Sequence, residues 1–179
     1  MSDLTLPGDS PPEVVDRYRA ALTKALGDAD PYAVLRAMPA WCADVLSETA
    51  LDRLRMPEAE GKWSVADVVH HLADSDLVWS NRLRRVLAED RPRIPGYDQD
   101  RWADRLGYAS QPPDLSVGLF QAVRAANLRL LDAASEHDLQ RVGLHGERGE
   151  ESIADMVRLY AGHDLVHRAQ IERILTGTP

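Results

Sequence analysis

Residues 151–174 read ESIADMVRLYAGHDLVHRAQIERI, and this stretch decides the fold class. Ser152 is placed to accept hydrogen bonds from the free amides of a helix start. Asp155 stands at the third helical position, close to the positive helix end. Behind them Met156, Tyr160, His163, His167, Ile171 and Ile174 recur at the spacing of a single helical face. His163 and His167 are four residues apart, about 6 Å along a helix axis. Both lie on the apolar stripe, so they point into a core and not into solvent. Each buried imidazole needs a partner for both ring nitrogens. A shared metal ion supplies one such partner, and independent hydrogen bonds are the alternative.

The same signature occurs once more. Trp63-Ser64-Val65-Ala66-Asp67-Val68-Val69 repeats the pattern of a capping serine with an acid three positions later, and Trp63 is placed to staple onto Val68. The helix it opens extends to about Ala88 on a stripe of Val65, Val69, Leu72, Trp79 and Leu83. His70 and His71 flank that stripe on opposite sides. His71 shares its side with Val68, Ser75 and Val78, whereas His70 neighbours Asp67 and Asp74 on a polar, solvated edge. His71 is therefore the preferred third histidine.

Helix signals continue outward from these two elements. Ser10-Pro11 opens a helix that ends at Gly27, and residues 1–10 read as a flexible terminus ahead of one domain over 11–179. Asp30-Pro31 opens another helix, in which Pro39 predicts a kink or break. A further helix spans about Asp114 to Ala134, with Leu119, Val123, Ala126, Leu130 and Leu131 as its stripe. Arg91–Pro113, rich in proline and glycine, reads as a crossover or functional loop containing a short helix near Gln99–Leu106. Gly143–Gly149 reads as a loop. The fold class is all-α.

Composition narrows the function. The chain of 179 residues carries a net charge of −8, which disfavours a phosphate backbone as partner. The run Arg82–Arg85 is read as a solvated helix face. Cys42 is the single cysteine, so it forms no intrachain disulfide and reads as core filling. No apolar stretch reaches the roughly 20 residues of a membrane span, and no signal peptide is visible, so a cytoplasmic protein is expected.

His163-Asp164-x-x-His167 also matches the helix motif of zinc metallopeptidases, with Asp164 in the general-base position. Aspartate is a shorter base than the usual glutamate. Only twelve residues follow His167, so a third ligand is expected from elsewhere in the chain. His137 and His145 lie in or beside loops and read as surface residues.

Three blocks together resemble the DinB-like, or YfiT-like, family of metal-dependent proteins. They are Lys62–Asp74 with Arg82 beyond it, Ile94–Trp102, and Gly162–Ile171. The resemblance implies a four-helix bundle in up-down-down-up order, with Arg91–Pro113 as its crossover and the helix at Pro11–Leu26 as an addition. It implies a site for one divalent metal ion, zinc or nickel foremost, on His71, His163 and His167. Relatives of this kind include transferases that join a low-molecular-weight thiol such as bacillithiol, mycothiol or glutathione to an electrophile. The same resemblance also carries the label of metal-dependent hydrolase.

The expected function is accordingly a metal-dependent thiol S-transferase acting on a small thiol and an electrophile. A metal-water hydrolase of a small amide or ester, or a non-catalytic metal-binding stress protein, are the alternatives. Asp164 is the candidate catalytic residue, as base or as orienter of a ligand histidine; its bland reading is an ion pair with Arg168. Arg82 and Tyr97 are the candidate co-substrate contacts, Arg82 toward a carboxylate, with Trp102 beside Tyr97 at the mouth. No membrane or nucleic-acid partner is expected, and a homodimer is.

Overall fold

Capping chemistry sets the helix boundaries in the computed structural model, which describes residues 11–177. The flexible stretch expected over residues 1–10, and with it the Ser10 cap, lies outside the described residues. The elements are α1 (Pro12–Leu26), α2 (Pro31–Glu48), α3 (Leu51–Leu54), α4 (Val65–Ala88), β1 (Arg93–Ile94), α5 (Gln99–Arg105), a 3₁₀ turn (Tyr108–Ser110), α6 (Pro113–Ala133), α7 (Glu136–Leu139), β2 (Val142–His145), β3 (Gly149–Ser152) and α8 (Ile153–Thr176). Ser64 and Ser152 each accept from the amide three residues on, while Asp67 and Asp155 reach back to the cap amide. Both helices thus begin on full capping boxes, each feature of this kind being worth about 1 kcal/mol. Asp30 caps α2 more simply, its Oδ1 accepting from the Tyr32 amide two residues on at 3.0 Å.

Pairwise contacts give the helix order. Along α4 and α6 the partners advance together, from His70 with Ser116 through Asp76 with Arg124 to Arg84 with Asn127, so these helices are parallel. Between α4 and α8 they run in reverse, from His71 with His163 to Arg82 with Tyr160. Along α2, Arg36 pairs with Asp132 late in α6, while Met38 and Cys42 share a core cluster with Phe120 and Val117 early in it. This pair is antiparallel as well. The bundle is therefore up-down-down-up through α2, α4, α6 and α8. Two consecutive parallel helices need a connection that returns along the bundle, which is why residues 89–112 are long. α1 is the added helix and packs on α8.

Four local readings are corrected. Of the kink or break expected at Pro39, the break does not occur: α2 runs unbroken from Pro31 to Glu48. A proline leaves the carbonyl four residues earlier without its helical donor, and Arg124 Nη1 donates to that carbonyl, Leu35 O, at 3.0 Å. The buried stripe of α6 is Val117, Phe120, Arg124, Asn127, Leu128 and Leu131, and Leu119 is 38% exposed. Polar Arg124 and Asn127 disguise the inner face as the outer one. Gly143–Gly149 is the heart of a hairpin, since β2 pairs antiparallel with β3 and parallel with β1, although the fold class remains helical. Alternation along β2 turns Gly143 and His145 to the same side, so His145 is 3% exposed and not a surface residue. Gly143 allows this close approach, because a Cβ there would meet Val86 Cγ2 at 2.8 Å.

Candidate metal centre and its cavity

His163 and His167 stand one turn apart in α8, and antiparallel α4 brings His71 against them. One ring nitrogen from each of the three lies within 4.8 Å of the other two, and all three residues are buried. His71 Nε2 is 3.0 Å from His163 Nε2. His167 Nδ1 lies 2.9 Å from Gln170 Oε1, which places the proton on Nδ1 and leaves the lone pair on Nε2. That Nε2 is buried with no hydrogen-bond partner among the described residues. Burial holds all three imidazoles neutral, His71 and His163 well below the usual histidine pKa and His167 at about 4. Neutral, converging nitrogens with an orphaned lone pair are what a divalent cation requires. The Trp63 ring covers the group, 4.9 Å from His71 and stacked at 6.4 Å on His167.

His70 is elsewhere. It is not on a solvated edge but 3% exposed, with Nδ1 2.7 Å from Ser116 Oγ and its ring against Tyr108. The crossover segment covers it, a packing that periodicity along α4 alone does not contain.

Asp164 is fully buried, and its partner is Arg124, not Arg168. Arg124 Nη1 donates to Asp164 Oδ2 at 2.6 Å, and Nη2 lies 3.2 Å from Oδ1. The same guanidinium holds Asp76 at 3.0 Å and the Leu35 carbonyl. One side chain on α6 thus ties α2, α4 and α8 together directly beneath the histidines. Its ring neighbours, Phe120 at 4.7 Å and Trp79 at 5.4 Å, exclude water. Burial raises the Asp76 pKa to about 6 despite Arg124, and raises that of Asp164 for the same reason. Arg168 instead pairs with Glu172 and lies over Trp41.

A cavity opens beside His163, bordered by Arg82, Tyr97 and Tyr160 together with Tyr18 of α1 and Arg148 and Glu147 of the hairpin. Arg82 is not on a solvated face; it is 4% exposed, donating to Pro95 O at 2.6 Å and facing Tyr160 Oη at 3.4 Å. Tyr97 stands in the wall with its ring 4.7 Å from Trp102. Trp102 itself borders a separate outer hollow. Burial keeps the tyrosines protonated, raising Tyr97 and Tyr160 and taking Tyr18 to about 12. The added helix supplies its part of the wall because α8 has Gly162 there: a Cβ would meet Leu22 O at 2.3 Å.

Sequence reasoning did not identify Arg124, Asp76, Arg148, Tyr18 or Glu147. Asp76 carried a usable signal, since it falls on the α4 stripe between Leu72 and Trp79, where a charge must be paired. The others depend on which elements meet.

Comparison with known proteins agrees with this architecture. Residues 14–171 match the DinB superfamily. A protein of Oceanobacillus iheyensis named a "putative metal-dependent hydrolase" is 34% identical over 71% of this chain and 76% of its own. One of Geobacillus kaustophilus with the same designation is 31% identical over 78% and 79%. Among solved structures, YfiT from Bacillus subtilis, described as a "probable metal-dependent hydrolase with an unusual four-helix bundle topology", superposes with a TM-score of 0.74 at 24% identity, over 94% of this chain and 90% of that one.

Proposed function

The chain belongs to the DinB superfamily, and from that premise we propose that it is a metal-dependent transferase joining a low-molecular-weight thiol to an electrophile at the cavity beside His163. The donor set fits a divalent ion of the zinc or nickel kind: three neutral imidazoles, one with its Nε2 orphaned in the core. Such an ion, held by His71, His163 and His167, would supply the charge that turns a neighbouring thiol into a thiolate at neutral pH. Gln170 fixes the tautomer of His167, and Trp63 keeps water from the rear of the site. The tyrosine hydroxyls remain donors and take no proton.

The observation that carries the reading is the placement of Asp164. The carboxylate of the His-Asp-x-x-His pattern is locked onto Arg124 and does not face the cavity. A nucleophile attacking beside the histidines does not have the carboxylate of that motif to take its proton. A thiol ionises far more readily than water, being several pKa units more acidic. Arg82 and Tyr97, on the cavity wall, are then the co-substrate contacts.

A hydrolase is the second reading, and Glu147 favours it. Its carboxylate lies at the rim, with Oε1 2.6 Å from where a Cβ on Gly96 would stand. In that case Glu147→Gln, and not Asp164→Asn, is the substitution that lowers turnover directly.

The two readings separate in one assay. Metal-loaded protein is offered bacillithiol, mycothiol or glutathione with a chloro- or epoxide-type electrophile, and separately esters and amides without thiol. The proposal expects metal-dependent conjugation, and a change in the visible spectrum of cobalt-substituted protein when thiol is added. Thiol-independent ester or amide cleavage without conjugation would overturn it.

A further inference from the structure

Among the described residues, Arg82 is a buried cation without an ion-pair partner. Its partners there are Pro95 O and the neutral Tyr160 hydroxyl, and its Nε is buried with no hydrogen-bond partner. Every other well-buried guanidinium bordering or underlying the site is paired, Arg124 with Asp76 and Asp164, and Arg148 with Glu151 through both Nε and Nη2. The Tyr97 hydroxyl, also on the cavity wall, is buried with the Ser75 hydroxyl as its polar neighbour and makes no hydrogen bond of ordinary geometry among the described residues. His145 adds a third donor nearby. Its Nδ1 accepts from the amides of Glu147 and Arg148, so the proton sits on Nε2, which is again buried and unpartnered. Arg148, Arg82 and Arg19 join burial in holding that ring neutral, at about 2.

Stranding a charge and two neutral donors in a core is costly unless something arrives to accept from them. Arg148 is already neutralised by Glu151, so Arg82 is the cation of the cavity wall that is open to a ligand. A planar carboxylate matches the fork of a guanidinium. Glu147 borders the same cavity and adds a negative charge of its own, so a monoanion suits the enclosure better than a phosphate dianion.

We propose that the cavity beside His163 receives a single carboxylate of the co-substrate, with Arg82 as its counter-ion and Tyr97 as a second donor. The reacting group of that molecule then faces the three histidines. The inference rests on the reading of the site as one for a small co-substrate, but not on whether the reacting group is a thiol.

The test is calorimetric binding of propionate, 3-mercaptopropionate, 2-mercaptoethanol and inorganic phosphate to zinc-loaded and metal-free protein, repeated with Arg82→Gln and Tyr97→Phe. 3-Mercaptopropionate should bind about ten- to a hundredfold more tightly than 2-mercaptoethanol, the worth of a charge-assisted hydrogen bond. Propionate should bind without metal, and more tightly than phosphate. Arg82→Gln should abolish propionate binding and erase the preference for 3-mercaptopropionate, and Tyr97→Phe should weaken both. Because Arg82 has no ion-pair partner among the described residues, Arg82→Gln should fold with an unchanged or higher thermal midpoint. Equal binding of propionate and 3-mercaptopropionate, both lost in Arg82→Gln, would support the carboxylate site while removing the thiol reading. Equal affinity for 3-mercaptopropionate and 2-mercaptoethanol, tighter binding of phosphate, or failure of Arg82→Gln to fold would overturn the proposal.

Discussion

Arg124 shows how a single residue can organise a site it does not face. Its guanidinium satisfies Asp76, Asp164 and a carbonyl that Pro39 leaves without a donor. Removing it strands two buried carboxylates, so Arg124→Met should destabilise the protein by roughly 3–5 kcal/mol in urea denaturation. A loss below about 1 kcal/mol would show that the cluster is not holding the bundle. Asp164→Asn breaks one arm only and should cost about 1–3 kcal/mol. Its effect on turnover should not exceed what lost folding explains; a larger fall at full folding would make Asp164 the base. Gln170 acts on one ring. Gln170→Leu frees His167 Nδ1 and should weaken metal binding about 10- to 100-fold while the helix stays intact, as read by competition with a chelator.

Elements explain how the added helix comes to wall the cavity. α1 reaches α8 only because position 162 has no side chain. Gly162→Ala should push α1 away at a cost of about 1–3 kcal/mol, and open the Tyr18 wall of the cavity. Metal retention should persist, since His71, His163 and His167 lie on α4 and α8; loss of metal in Gly162→Ala would contradict this division of labour. At the same scale lies the limit of what the sequence discloses. The starts of α4 and α8 are legible because Ser64, Asp67, Ser152 and Asp155 state them locally. The grouping of His163 and His167 is legible because one period contains both. The α6 face was not, because Arg124 and Asn127 are buried for partners on other helices. The hairpin was hidden by Gly143, Gly146 and Gly149 and its charges, which carry little strand preference, and His145 went with it. The cavity is least legible of all, being assembled from α1, α4, α8, the crossover and the hairpin.

At the scale of the whole molecule, buried neutral histidines set the response to acid. His70, His71, His163, His167 and His145 all have pKa values lowered by burial. The unfolded chain takes up their protons near pH 6.5, so their contribution to stability is present above that pH and lost as pH falls below it. Asp76, raised to about 6 by burial, and Asp164, raised for the same reason, act in the opposite sense, their share being complete below the unfolded carboxylate range and lost as pH rises through the folded values. The five histidines outnumber these two carboxylates. The urea midpoint of metal-free protein should therefore fall between pH 7 and pH 5, and a flat or rising midpoint would contradict their burial. No helix among the described residues is long and apolar enough to cross a membrane. The homodimer implied by the family resemblance predicts a light-scattering mass near twice the 19.9 kDa of one chain.

The central claim is that His71, His163 and His167 together hold one divalent ion, and elemental analysis of untagged protein tests it most directly. The wild type and His70→Ala should each carry close to one ion per chain, while His71→Ala, His163→Ala and His167→Ala should each lose most of it. An emptied site in His70→Ala with metal retained in His71→Ala would contradict the account.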